Sequence, residues 1–536
     1  MKNKINLVYN QIISILEKYS YVFLFLLFII FMLSRVLLLD KRPCGVNVDE
    51  IAGALDAKYI SEYGMDRHLD RMPVYFKNYG GGMSAMYVYL LALLFKVMPY
   101  SVFVIRLPAV ICGVLCFIYS YKLINMIFEN NAIALLGPFL VTILPYYMAS
   151  ERWGLDCNLF LSILTISIYY FVRANISRKY FSYLSAGIWF GITLYTYAIS
   201  YVVLLLFLGI YFIYELIKKR LEIKKWVIMG IPLFLLALPL ILFQLVNMGI
   251  IPEFSFLFSD YHKLTFYRAS EMSISNFINN IPFLSVIFLG GDGLRYNSFD
   301  SIAYGTVYII MVPIIVFGII YYILKICKKS TIQDEQKNNE NIGMMCVFIL
   351  LVSSVIVVLL LSAPSINKTN QIYLPLMIFA IYGIANIQKR WKYSITCFVI
   401  ICSLFFLSYS KFYFIDQKKE YGYLELFHPT ISLDIIRYSE KMYDENHDKT
   451  IYFEEQYEDL GKEEMILHAI GNIPPMDFDE DRTDYGKYKL HFPENFDENE
   501  NAIYILGINW NHITGYLQGI GYNIDNSFEK YSILYK

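Results

Sequence analysis

The 536-residue chain is poor in charge: Asp, Glu, Lys and Arg make up 17% of it, against 57% hydrophobic residues. A soluble protein of this size would carry roughly a quarter charged residues. Acids and bases nearly cancel, with 46 Asp and Glu against 45 Lys and Arg. No basic excess points to nucleic acid. The eight cysteines form no C-x-x-C pair, and neither they nor the seven histidines fall at metal-ligand spacings. Cys112, Cys116, Cys346, Cys397 and Cys402 lie inside apolar runs, where cysteine is a small packing residue. Only Cys44 and Cys157 fall near one face outside a span, so a disulfide between them is one option. No internal repeat at solenoid periods is present.

What is abundant is long apolar sequence. Runs of membrane-crossing length recur from Tyr21 to Tyr409, so the chain reads as an all-α polytopic membrane protein. The first run, Tyr21–Leu39, lacks a small-residue cleavage pattern and is expected to remain as an anchor. Cationic clusters at Arg173/Arg178/Lys179, Lys218–Lys225, Lys325–Lys337 and Lys389–Lys392 are expected to face the cytoplasm. Counting back from them makes the N-terminus cytoplasmic. The Met83–Met98 segment then becomes a helix along the outer interface, inside one long outer loop, 40–101. The expectation is about eleven crossings within residues 1–410, starting with Tyr21–Leu39, Phe103–Ile127, Ala132–Met148 and Cys157–Val172. Residues 411–536 are polar and acidic. The runs "TIYFEE", "NAIYILGI" and "YSILYK" predict strands and "EEMILHAIG" a helix, together a small extracytoplasmic α/β domain.

The polar residues concentrate at the outer ends of the spans. The first loop holds Asp49-Glu50 and, further on, Lys77 and Gly80-Gly81-Gly82. "SERWGLDCNLF" supplies Glu151, Arg152, Asp156 and Asn158, and "GGDGLRYNSFD" supplies Asp292 and Asn297. "APSINKTNQIYLP" supplies Asn367 and Asn370. Each has an ordinary alternative. Asp49 sits in a charged loop, Arg106 is placed to snorkel at a helix end, Arg152 has Glu151 beside it as a surface ion partner, and G-G-D-G is by default a turn. His68, His262 and His428 stand alone and read as surface residues.

Asp49-Glu50 after the first span resembles the Asp-Glu signature of the protein O-mannosyltransferase and aminoarabinose-transferase superfamily, glycosyltransferase family 39. These are membrane enzymes of the GT-C fold. "PVYFKNYGGGMSAMYVYLLALLFKV" followed by "IRLPAVICGVL" is similar to that family's interfacial helix and Arg-Leu-Pro start of the second span. "SERWGLDCNLF" and "NKTNQIYLPL" resemble further family segments, and the likeness covers about Asp40–Ile387. It implies an inverting hexosyl- or pentosyltransferase in the plasma membrane, with its site on the outer face. The donor would be a sugar on a polyprenyl phosphate; the acceptor would be a cell-envelope glycan, teichoic acid, lipid or protein. It also implies Asp49 as general base, with Glu50 orienting it or holding donor hydroxyls. Lys77, Arg106 and Arg152 become candidates for the donor phosphate, and Asp156, Asn158, Asn367 and Asn370 for substrate contact. The triple glycine would admit the lipid head group, and aromatics near Tyr79 and Tyr87 a sugar ring. No cofactor is expected; some GT-C relatives bind a divalent ion through two outer-loop carboxylates, but family 39 is thought not to need one. The chain lacks the late lumenal sugar-binding insertion of the protein mannosyltransferases, which favours a bacterial-type member.

Two other classes compete. A lipid or sugar transporter or flippase would show inverted repeats and mid-membrane charges; only Pro232 and Pro239 speak for it. A membrane scaffold whose outer domain binds a partner would leave the Asp-Glu loop unexplained.

Overall fold

A computed structural model describes residues 17–43, 46–78, 81–265, 272–289, 304–327, 335–416, 427–428, 437–442, 449–453, 469–471, 473–479, 482–493, 495–496, 501–507, 511–528 and 531–536. Cys44, Tyr79, Gly80, Asp292, Asn297, the His428 side chain and most of "EEMILHAIG" lie outside them, as does the Cys44–Cys157 option.

Eight described helices are long and apolar enough to cross a membrane: Val102–Phe128, Asp156–Ser177, Ile199–Ile217, Ile223–Asn247, Ile309–Cys327, Asn339–Leu360, Ile366–Gln388 and Ser394–Asp416. The other three expected crossings are shorter. Ser20–Val36 and Tyr180–Thr193 are single helices. The third expected crossing is broken into Asn131–Ala134, Leu136–Ile143 and Pro145–Ser150. The break has a local cause: proline disfavours the helical conformation in the residue before it, and Leu144 is extended. The backbone groups this frees find partners on other elements, as buried backbone must in a bilayer. Tyr146 N–H donates to Thr306 O at 3.0 Å. Ile143 O accepts from Tyr308 OH at 2.5 Å.

Two buried arginines hold the first helix against this broken one. Arg35 donates to Val141 O (2.6 Å) and Thr142 O (3.0 Å) and pairs with Glu151 at 2.8 Å. Arg152 donates to the carbonyls of Ser34, Arg35, Leu37, Leu38 and Arg42. Helix C-termini leave carbonyls unsatisfied and favour a cation. Arg152 therefore serves the end of Ser20–Val36, and Glu151 pairs with Arg35. The alternative of a Glu151–Arg152 surface pair is replaced by this arrangement, because both residues are buried, Glu151 against Arg35 and Arg152 among backbone carbonyls.

The first outer loop is a folded unit. Its helix, Val48–Tyr63, starts at a capping box in which Asn47 accepts from Asp49 N–H and Glu50 from Asn47 N–H. It ends at Gly64 in the left-handed region, φ 72°. A hairpin follows, β2 (Tyr75–Asn78) against β3 (Gly81–Ser84), then helix Ala85–Phe95. At eleven residues that last helix is too short to cross a bilayer. A second hairpin, β4 (Phe254–Phe256) with β5 (Ser259–Tyr261), joins the loop through Arg71 and Asp260.

The C-terminal region contributes β6 (Phe427–His428), which pairs with β1 (Val46–Asn47), and a six-stranded mixed sheet ordered β11-β12-β10-β7-β9-β8. Three of its strands, β7 (Thr450–Phe453), β10 (Ala502–Gly507) and β12 (Tyr531–Tyr535), are the three strands predicted from apolar runs. Short β8 (Asp484–Tyr485) and β9 (Tyr488–Lys489) form one edge and β11 (Asn523–Phe528) the other. The expected helical membrane body and small C-terminal sheet domain are both present.

Candidate active site

A cavity of about 540 Å³ opens where the start of the loop helix, the β2–β3 hairpin and the start of helix Asp156–Ser177 meet. Its polar lining includes Asn47, Asp49, Asn78, Asp156, Gln244, Ser365, Asn367 and Lys368. Its apolar and aromatic lining includes Tyr197, Tyr201, Val202, Phe243, Met272 and Leu361. Charged groups together with aliphatic and aromatic surface in one cavity suit an amphipathic ligand.

Asp49 and Glu50 are adjacent in sequence and opposite in fate. Successive residues of an α-helix point about 100° apart. Asp49 faces the cavity, while Glu50 points into the core. Glu50 pairs with Arg106 (Nε to Oε1 3.0 Å, Nη2 to Oε2 3.2 Å) and accepts from Asn47 N–H and Gly154 N–H, each at 2.9 Å. Gly154 is needed here: a Cβ would meet Tyr87 OH at 2.7 Å and Glu50 Oε1 at 3.1 Å. Arg106 completes its contacts on Leu39 O and Pro43 O. This buried pair fastens the loop helix to helix Val102–Phe128, so Arg106 does not snorkel.

Asp49 is held from the other side. Asn78 Nδ2 donates to Asp49 Oδ1 at 2.7 Å, and Asn78 Oδ1 accepts from Arg67 at 3.2 Å. Arg67, fully buried, pairs in turn with Asp56 at 3.3 Å. The series Asp56–Arg67–Asn78–Asp49 fixes both the Asn78 amide orientation and one Asp49 oxygen. Asp49 also stands in the first turn of its helix, at the positive end of the helix dipole.

Asp156 joins Asp49 at the cavity, close enough for the two charges to repel. Its oxygens accept from Cys157 N–H (2.6 Å) in its own helix and from Ser84 N–H (2.8 Å), and the latter ties the hairpin to the membrane helix. Among the described lining residues Lys368 is the one cation. The cations expected at the donor phosphate are engaged elsewhere. Lys77 pairs with Asp70 at 3.0 Å, and Arg106 and Arg152 lie in the core. Asn158 donates to Trp153 O, and Asn370 to Cys157 O and Asn367 O, so of the expected amides Asn367 alone lines the cavity. Gly82 lines it too, with the Tyr75 ring packed where a Cβ would stand. Tyr87 is buried with its hydroxyl on Ile105 O. Among the described residues no three His, Cys, Asp or Glu side chains gather at metal-binding distance.

Asn78, Arg67, Arg35 and Lys368 were not singled out from sequence. Lys368 sits in the "NKTNQ" segment already marked, and a cation between two candidate amides was the available signal. Asn78 and Arg67 offered none, since their partners lie 11 to 29 residues away.

Beside the site, two expected surface histidines are partly enclosed. His262 pairs with Asp70, and His68 accepts from Arg67 and meets Phe478 edge-on. Burial first, and Arg67 and Lys77 next, push the His68 pKa down to about 3. Burial first, then Asp56 and Asp70, push Asp66 up to about 8. Asp66 Oδ1 accepts two backbone N–H groups, and Oδ2 has no hydrogen-bond partner among the described residues. Folded Asp66 keeps its proton between about pH 4 and 8, whereas the unfolded chain loses it near pH 4. Stability from this group is therefore present below that window and declines as pH rises through it. His68 adds an opposing slope only below about pH 6.5. Thermal unfolding should shift downward from pH 6.5 to 8, by roughly 1–2 kcal/mol of stability, and Asp66→Asn should flatten the slope. A wild-type midpoint that rises over this window would exclude a protonated Asp66.

Residues 83–243 match the family described as dolichyl-phosphate-mannose-protein mannosyltransferase. Asp49 lies outside that segment. ArnT from Cupriavidus metallidurans bound to undecaprenyl phosphate aligns over 96% of this chain and 98% of its own, with 10% identity and a TM-score of 0.55. The same ArnT in the apo state aligns over 96% and 97%, with 9% identity and a TM-score of 0.57. The apo oligosaccharyltransferase of Archaeoglobus fulgidus aligns over 84% of this chain and 64% of its own, with 12% identity and a TM-score of 0.52. No curated protein matches the chain in sequence. The resemblance drawn from the motifs is thus met in three dimensions: the chain has the GT-C fold of the membrane glycosyltransferases.

Proposed function

We propose that the chain is a multi-pass membrane glycosyltransferase that takes a sugar from a polyprenyl-phosphate donor. The observation that carries this reading is the cavity itself, whose lining combines two carboxylates and one lysine with apolar and aromatic side chains. The matched family and the ArnT structure with undecaprenyl phosphate support the choice of donor. Asp49 takes the proton of an acceptor hydroxyl as that oxygen attacks the anomeric carbon. The bond from that carbon to the phosphate oxygen breaks, its electron pair leaves with the polyprenyl phosphate, and the anomeric centre inverts. Lys368 faces the phosphate as negative charge develops. Asp156 and Asn367 border the sugar and take its hydroxyls. By the distribution of Lys and Arg, the site and the C-terminal domain lie on the outer face of the cell membrane, and the acceptor is a cell-envelope component.

The test is competition by free polyprenyl phosphate in a donor-release assay. A charge-assisted contact contributes about 1.5–3 kcal/mol. Lys368→Met should therefore weaken inhibition by polyprenyl phosphate about ten- to hundredfold. Equal inhibition of wild type and Lys368→Met would remove Lys368 from the phosphate.

A further inference from the structure

The C-terminal sheet has two apolar faces, and a different helix covers each. Tyr504, Leu506 and Leu534 pack with Leu517 of helix Asn511–Gly519. The alternate residues Ile451, Phe453 and Ile505 pack on Ile51, Leu55 and Tyr59 of the loop helix Val48–Tyr63. Side chains alternate between the faces of a strand, so the two sets of residues lie on opposite faces of the sheet. The opposite side of the loop helix, at Ala54, Ala57 and Ile60, shares a buried cluster with helix Ala85–Phe95 and, beyond it, with Val104, Ile105 and Leu159 of the membrane body. The helix that carries Asp49 at its start is therefore clasped between the membrane body and the C-terminal sheet.

Polar anchors mark both ends of the clasp. At the far end, Tyr59 OH donates to Ile473 O at 2.8 Å and the buried Lys58 amine donates to Ala469 O. At the near end, β6 pairs with β1, opposing Phe427 to Asn47 and His428 to Val46. Asn47 is the N-cap of the loop helix and lines the cavity. Among the described lining residues none comes from the C-terminal region.

We infer that the C-terminal domain is a positioning element for Asp49, which holds the loop helix at both ends so that donor turnover depends on contacts remote from the cavity. The inference rests on the reading of Asp49 as the base. A small misplacement of a catalytic group lowers turnover with little effect on ground-state binding.

Full-length Lys58→Met/Tyr59→Phe and Leu55→Asp proteins, purified in lipid, test this by donor release, with Asp49→Asn as control. The double variant removes two hydrogen bonds to the domain, and its kcat should fall roughly three- to tenfold with donor KM within about twofold. Leu55→Asp places a charge in the interface and should lower kcat more. Where Leu55→Asp does not accumulate as folded protein, the double variant and Tyr59→Phe alone decide. Mere structural glue would lower the unfolding temperature and leave kcat per folded molecule at the wild-type value; that result overturns the inference. Full turnover by Asp49→Asn would instead overturn the assignment of the base.

Discussion

Replacement of Asp49 by asparagine is expected to lower sugar transfer by about 10²- to 10⁴-fold, the usual range for loss of a general base. Donor affinity should stay near wild type. Asparagine keeps the carbonyl that receives Asn78 Nδ2, so the helix start and the cavity remain in place. What is lost is the oxygen that accepts the acceptor's proton. Asp156→Asn is expected to cost less, because both Asp156 oxygens already accept backbone N–H groups, one from Ser84 of the hairpin and one from Cys157 of its own helix. Steady-state rates for the two variants at matched folded concentrations check the ranking. A larger loss for Asp156→Asn than for Asp49→Asn would reverse the roles.

The second large effect falls on folding. Glu50→Ala is expected to destabilise the protein by about 3–5 kcal/mol, because it leaves the Arg106 guanidinium buried without its counter-charge. Gly154 N–H and Asn47 N–H lose their acceptor at the same time. Loss of folded protein after extraction, or a large drop in unfolding temperature, reads this out. Replacing both partners, Glu50→Met with Arg106→Met, should cost less than the sum of the single changes, since it removes the orphaned charge. A Glu50→Ala protein that folds as wild type and merely turns over slowly would place Glu50 in the chemistry instead.

The contrast between these neighbours shows how much of the site the sequence carries. Asp49-Glu50 was legible as a pair through its family likeness, and the spans through their length. The fate of each carboxylate depends on which way the helix is rolled, and Gly154 and Arg106 set that from 104 and 56 residues away. The same holds for the cations. Apolar flanks say that an arginine must be accommodated, not whether it meets a lipid phosphate or the carbonyls at a helix end. Arg152 meets five carbonyls, and Arg106 two carbonyls and a carboxylate. The strands of the C-terminal domain were legible from their short apolar runs. Continuous apolar runs fit strands buried on both faces, but nothing in them says that a helix some 400 residues upstream covers one of those faces.

The central claim is that this cavity transfers sugar from a polyprenyl phosphate. The most direct measurement is release of polyprenyl phosphate from polyprenyl-phosphate sugars by the purified protein in lipid, wild type beside Asp49→Asn. The account predicts time-dependent release by wild type and a loss of at least about 10²-fold in the variant. Wild-type protein that is folded and releases nothing from any such donor would contradict it, as would release that ignores Asp49.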